Sequence, residues 1–494
     1  MMTRILALCL ALLAPAAAQT LRVGTNGQDP GSLDPHRASA TQDKGTAAWM
    51  FDGLLRFPPG SADPAAIEPD LAESFTRSAD GLSLNFRLRE GLRFHDGSAV
   101  TAEAIAWSLR RAADPARSSF AADYRAMAEI TVLDARSLTV RMREPVPGLL
   151  GLFANYHGGM IVAESGAGTG AFRMENASPG RVRLVANPGY FRGPPALAGI
   201  DVRFINSDQT RELAFTAGEL DLISGRREQR WVERMRAQPN TVVDVFGPGE
   251  FRTLLINTQS PPLDDARLRR AMQHAVDPLA IARFVGTDVA TPWAGPVPPG
   301  YLGATQDVPR FGPDPARARA LLTEAGHPGG ITLRAVVSSI TAQLPIMEVV
   351  QAQLRRANIR LEMDVVEHAT YHSRIRENLS QLTFYGAARY PVADSYLSQF
   401  YHSAAAPGRP GMSLNFAHCS AADAQIDAAR TETNQARQMA LWAEAQRLVV
   451  EAGCSVPLFD LRQVWVRRSN LDLGYRLDGA LNLAPPITAA TRLR

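Results

Sequence analysis

Nine histidines punctuate the chain, at positions 36, 95, 157, 274, 327, 368, 372, 402 and 418, and they are the first residues to ask for metal or proton chemistry. His368 and His372 are four apart, the spacing that stacks two imidazoles on one helix face. No third ligand follows at a fixed offset, so no protein metal site is assigned and no cofactor is expected. Hydrolytic chemistry lacks its frame as well. There is no G-x-S-x-G elbow and no H-E-x-x-H pair, so the scattered Ser, His and Asp residues carry no catalytic assignment. Gly166-Ala167-Gly168-Thr169-Gly170 is neither G-x-G-x-x-G nor a P-loop with its Lys-Ser/Thr, and it reads as turn geometry.

The charges exclude a further class. Lys plus Arg number 52 against 49 Asp plus Glu, a net charge of only +3, and Lys44 is the single lysine. The densest basic run, Arg226-Arg227-Glu228-Gln229-Arg230, is interrupted by an acid and reads as a solvated helix face. Nucleic-acid binding would want such residues clustered as a basic patch.

Met1 to Thr20 has Arg4, an apolar stretch to Leu13, a Pro15 break and Ala16-Ala17-Ala18, the pattern of a cleaved secretory signal. Export leaves Cys419 and Cys454. An even pair in an oxidising compartment is compatible with a disulfide, and equally with two free buried thiols.

The elements that must position any site are legible from periodicity. Leu82, Leu84, Phe86 and Leu88 alternate with polar residues and predict a half-buried strand. Thr101 predicts a helix cap, with Val100 and Ile105 placed for a hydrophobic staple. Gly247 to Asn257 approaches as an apolar strand. Asp314 and Pro315 open a helix, after which Ile331–Ala335, Ile346–Leu354 and Ile359–Met363 alternate strand, helix, strand, as in a partly parallel sheet. Leu382 to Tyr385 predicts a buried strand, and Gln435 to Glu451 a helix.

The wording of the Glu68–Arg111 stretch says more than its period. P-D-L-A-E-S-F, then D-G-L-S-L-N-F-R-L-R-E-G-L-R-F-H-D-G, then T-A-E-A-I-A-W-S-L-R-R resembles the extracytoplasmic solute-binding proteins of ABC importers, family 5, the peptide, opine and nickel branch. The resemblance implies a bilobal α/β periplasmic-binding-protein fold, class II of the cluster C type. It has an additional subdomain in the first lobe and two crossings between lobes, near Asn257 and Leu461. The expected division is a signal peptide at 1–18, the first lobe at 19–46 and 168–257, an inserted subdomain at 47–167, a second lobe at 258–460 and a return to the first lobe at 461–494.

The implied activity is capture of a small peptide-like, amino-blocked or anionic solute in the periplasm. A monomer would close its lobes without chemistry and deliver to a membrane permease and ATPase. Capture of a nickel or other metal-chelator complex is the alternative within the family, sensing for a membrane receptor is a second binder role, and a secreted hydrolase is disfavoured by the missing motifs.

The implied ligand residues follow from the same resemblance. Where amino-terminus-binding relatives carry A-D-Y, this chain has Ala388-Arg389-Tyr390, so an acid that meets a ligand ammonium is replaced by a guanidinium suited to carboxylate or phosphate. Arg374 aligns with an arginine that some relatives direct at ligand carboxylates. Ser39, Ala40 and Thr41 would offer a backbone edge, and Phe120 and Tyr124 an aromatic lid or ordinary core. Gly386, where peptide binders often have tryptophan, would enlarge the pocket. Asn415 would orient a ligand or fasten a loop.

Overall fold

Alternation does what it predicts in the Glu68–Arg111 stretch. Leu84, Phe86 and Leu88 of the strand Ser83–Leu88 are buried in one core, while Asn85 and Arg87 face out. Thr101 accepts a hydrogen bond from the Ala104 amide at 3.2 Å and so caps the helix Ala102–Ala112. Val100 and Ile105 are both buried across that first turn. The strand belongs to a four-stranded antiparallel sheet ordered Ala72–Arg77, Ser83–Leu88, Ser137–Met142, Met127–Asp134.

The computed structural model describes residues 19–494 except 39, 157–158, 341, 389–390 and 410–413, with Thr41 described in its backbone alone. A nine-stranded mixed sheet runs through the molecule. Its path is Leu382–Ala387, Thr241–Ile256, Ser455–Arg468, Leu222–Ser224, Thr20–Thr25, Gly199–Phe204, Arg181–Ala186 and Phe172–Ser178, with Ala290–Pro292 paired to Ser455–Arg468 off that path. Two members are unusually long. Thr241–Ile256 has 16 residues and Ser455–Arg468 has 14, and they pair antiparallel along most of their length. At about 3.4 Å per residue such a strand spans roughly 50 Å, enough to run from one packed body to the next. One end of the pair joins the strands Leu222–Ser224 and Thr20–Thr25, and the other joins Leu382–Ala387.

Beyond the long strands, Ile331–Ser338 and Ile359–Val366 pair in parallel. The helix Leu344–Arg356 makes the crossover that a parallel pair requires. The helix Gln435–Glu451 buries Trp442, Ala445 and Val449 in the neighbouring core. Cys419 and Cys454 are joined as a disulfide across a separation of 35 residues, both buried.

Two local expectations change. Of the Gly166–Gly170 glycines only Gly166 has a left-handed φ, +86°. Gly168 and Gly170 are required by close approach, because a Cβ there would lie 2.2 Å and 2.7 Å from the Met50 carbonyl oxygen. The Arg226–Arg230 run is also not uniformly solvated. Its helix, Gln229–Arg236, starts late and buries Trp231, and Arg227 lies ahead of it, turned toward a carboxylate on the long strand.

Candidate functional site

The long strand Thr241–Ile256 loses register against Ser455–Arg468 between Phe246 and Glu250. Gly247, Pro248 and Gly249 occupy that irregularity. A Cβ on Gly249 would stand 2.2 Å from the Leu461 carbonyl oxygen, so only glycine fits. The tail of the chain holds the bulge, with the Ala480 amide donating to the Gly247 carbonyl at 3.0 Å. Bulges of this kind re-aim the side chains that follow them. Here the residues re-aimed are Glu250 and, two further along the same face, Arg252.

Glu250 is shared by two guanidiniums. Arg252 Nη2 donates to Glu250 Oε2 at 2.5 Å, and Arg227 Nη1 lies 3.1 Å from Oε1. Burial pushes the Glu250 carboxyl up, but the Arg227 and Arg252 charges outweigh it and hold the group below its ordinary value. The Arg252 side chain is only 12% exposed, and burial draws its guanidinium down against the pull of Glu250. Two guanidiniums, Arg252 nearly buried and Arg227 half-buried, thus share the Glu250 carboxylate where solvent screens charge poorly.

Around this group lie further unmet polar atoms. Among the described residues, Arg252 Nε, Asp460 Oδ1, Arg462 Nε, Gln463 Nε2 and Ser224 Oγ are buried without a hydrogen-bond partner. Asp460 Oδ2 accepts from the Gly249 amide at 3.3 Å. Burial nonetheless lifts the Asp460 carboxyl to about 6, with Glu250 adding to the rise and Arg462 and Arg227 opposing it. A cavity of about 250 Å³ opens beside Ser224, Arg227, Glu250 and Gln463, with Thr46, Trp49 and Leu483 and the ion-paired Asp208 and Arg211 also on its wall. Unsatisfied buried groups are costly, and those of Ser224 and Gln463 lie on the cavity wall, where a ligand can supply the partners.

The residues expected from sequence meet different fates. Gly386 faces Arg252 directly across the strand pair. A Cβ at Gly386 would sit 2.3 Å from Arg252 Nη1 and 2.5 Å from its Cδ, so the space is filled by the guanidinium and the position does not enlarge a pocket. Arg374 is ion-paired with Asp364 and half exposed, which makes it a surface pair. Tyr124 is buried, donates to the Leu152 carbonyl at 2.8 Å and accepts from Asn155 at 3.3 Å, so it is core and not lid. Phe120 is half-buried, with the Lys44 ammonium 5.5 Å from its ring centroid.

Asn415 is fully buried and fastens a loop, donating to the His402 and Cys419 carbonyls and accepting from the Cys419 amide. Ala40 is the N-cap of the helix Thr41–Ala47, its carbonyl already accepting from the Lys44 amide. Ser39, Arg389, Tyr390 and the Thr41 side chain lie outside the described residues. The backbone that follows Tyr390 is held from the other side, since the Leu302 amide donates to the Pro391 carbonyl at 2.9 Å and Leu302 returns a carbonyl to Ala393.

Glu250, Arg252 and Asp460 were not singled out from sequence, and Arg227 only as part of a run read as a solvated helix face. The signal available was the Glu-x-Arg pair, a charge alternation inside an otherwise apolar strand just after Gly-Pro-Gly.

Comparison with known proteins follows this geometry. The sequence model of the bacterial extracellular solute-binding proteins, family 5 Middle, matches residues 66–408. The chain is 26% identical over 498 residues to the glutathione-binding protein GsiB of Salmonella typhi, covering 94% of this chain and 95% of the relative. It is 27% identical over 516 residues to the di/tripeptide-binding protein 2 of Pseudomonas aeruginosa strain UCBPP-PA14, covering 95% of each. The solved structure of the binding protein MoaA from A. tumefaciens R10, in complex with mannopinic acid, superposes with a TM-score of 0.82 at 40% identity, over 97% of this chain and all 100% of that one.

Proposed function

This chain belongs to the family 5 extracellular solute-binding proteins, periplasmic components of ABC importers and not enzymes, and we propose that its cargo is an anionic, amino-blocked solute of the opine class. The observation that carries this reading is that two guanidiniums, Arg227 and Arg252, share the one Glu250 carboxylate, with Arg227 and Glu250 on the cavity wall beside the Arg211–Asp208 ion pair. A carboxylate about 4 Å from an uncompensated guanidinium gains roughly 4 kcal/mol at an effective dielectric near 20, and a ligand ammonium loses the same. The acid bound by MoaA, at 40% identity, agrees in charge. Arg389, in place of the aspartate of amino-terminus binders, adds a second reason to expect an anion.

Binding proceeds by population shift. The two long strands connect the bodies that carry the cavity wall and the segment after Ala387, and a ligand that contacts both favours the closed arrangement. In this reading the bodies divide near Asn257 and Leu461, residues 1–18 are a cleaved signal, and the closed monomer delivers to the permease and ATPase. Among the described residues no helix is long and apolar enough to cross a membrane.

The test is native mass spectrometry of gently purified protein, with accurate-mass identification of the released ligand, followed by calorimetry with anionic, neutral and cationic analogues. An acid lacking a free α-amino group, bound at least tenfold more tightly than its amide, supports the assignment. Co-purification with a free-amino peptide sinks it.

A further inference from the structure

His368 and His372, set aside in sequence for want of a third ligand, meet in space. Their Nε2 atoms lie 3.3 Å apart, with the rings nearly perpendicular at 74°. We infer that this pair is a two-imidazole site for a divalent transition-metal ion of the zinc type. Bonds of about 2.0–2.1 Å from a tetrahedral ion to two imidazoles put the nitrogens about 3.3–3.4 Å apart, which is the separation the helix already provides.

The surroundings fix both rings. His368 opens the helix His368–Arg376, and its Nδ1 is 2.9 Å from the hydroxyl of Ser338, a fully buried residue at the end of the strand Ile331–Ser338. With Nδ1–H donating to that hydroxyl, Nε2 is left with a free lone pair, the outer-shell arrangement that orients metal-binding histidines. Tyr371 stacks along His368 with ring planes 8° apart, and Tyr385 meets the edge of His372. Both imidazoles are half-buried, so one flank of the pair is open.

The location also suits a ligand. Ser338 and Val366 end the two parallel strands, and sites in open α/β sheets gather at the carboxyl ends of such strands. Among the described residues no group of three His, Cys, Asp or Glu is placed to hold a metal. The remaining positions therefore go to water or a bound solute. The pair adjoins the Arg252 group through Tyr371 and Tyr385 but shares no ligand with it, so the site stands whatever the cargo is.

The experiment is calorimetric titration of tag-free protein with Zn²⁺ alone, beside the His368→Gln, His372→Gln and Ser338→Ala variants, with circular dichroism as the check on folding. One saturable equivalent is expected in the parent. Each histidine variant should bind at least tenfold more weakly, and Ser338→Ala, which keeps both ligands, roughly 10-fold more weakly. Electron paramagnetic resonance of the Cu²⁺-loaded parent should show two imidazole nitrogens. No saturable binding, binding that survives both histidine replacements, or a single-nitrogen spectrum would overturn the site and reduce the 3.3 Å contact to a hydrogen bond between two rings.

Discussion

Replacing Gly386 with alanine tests the central geometric claim, that Arg252 occupies the space a side chain would need. Glycine at 386 is not demanded by the backbone, since its φ is not left-handed, so the cost of the added methyl is purely spatial. The Cβ would stand 2.3 Å, 2.5 Å and 2.7 Å from Nη1, Cδ and Cζ of Arg252, which must therefore move as a whole. Moving it strains the 2.5 Å contact with Glu250 in a nearly closed site. Overpacking of this size costs about 1–3 kcal/mol, with full loss of a buried partner as the upper limit at about 3–5 kcal/mol. In an Arg252→Ala background the same methyl meets empty space and should cost less than about 0.5 kcal/mol. Urea denaturation of the four proteins gives the coupling energy, expected at about 1 kcal/mol or more. Anion affinity should fall about tenfold or more in Gly386→Ala with the parent Arg252 in place. If the Gly386→Ala penalty were equal in both backgrounds, the two residues would not share that space and the reasoning would be wrong.

Three further outcomes follow from the same contacts. The Asp460 carboxyl has a folded value of about 6 against an ordinary 3.8. Protonating it adds a positive charge beside Glu250, Arg227 and Arg462, so affinity for an anion that does not itself titrate should rise as pH falls from 8 to 5. The folded state holds a proton there that the unfolded chain has released, so the fold is favoured below the ordinary value and loses that margin as pH rises through about 6. Asp460→Asn should flatten the binding profile, and an unchanged profile would remove Asp460 from the site. The disulfide closes a separation of 35 residues, and replacing both cysteines by serine should cost about 3–4 kcal/mol in denaturant unfolding. A loss under about 1 kcal/mol would show that the cross-link does not restrain the unfolded chain as that loop length predicts. Tyr124→Phe should lower stability by about 1 kcal/mol by removing the bond to Leu152, with ligand affinity unchanged. A tenfold affinity loss at unchanged stability would restore Tyr124 to a lid.

Much of the fold was legible because it is written locally. The alternation of Leu84, Phe86 and Leu88, the Thr101 cap and the Asp314-Pro315 helix start are each decided by residues within one or two turns of one another. The helix Gln435–Glu451 has the limits its periodicity predicts. The family phrase between Glu68 and Arg111 was equally local, and it pointed to the class of protein and to the bilobal fold.

The candidate site was not local. Arg227, Glu250, Arg252, Gly386 and Asp460 come from four separate stretches, and nothing in their spacing says that they meet. Gly386 shows why. Read along the chain it is a missing side chain and hence an opening, but strand register sets it opposite Arg252, whose guanidinium fills the gap. Register depends on the Gly247–Gly249 bulge and on pairings across more than a hundred residues, which composition and periodicity do not encode. The His368 and His372 spacing was visible from the start, whereas the Ser338 hydroxyl that orients one ring arrives from another strand. What this sequence determined alone was which segments are helix or strand and which face of each is apolar. The tertiary structure decided which charges share a burial site, because that is set by long-range pairing and not by neighbours in the chain.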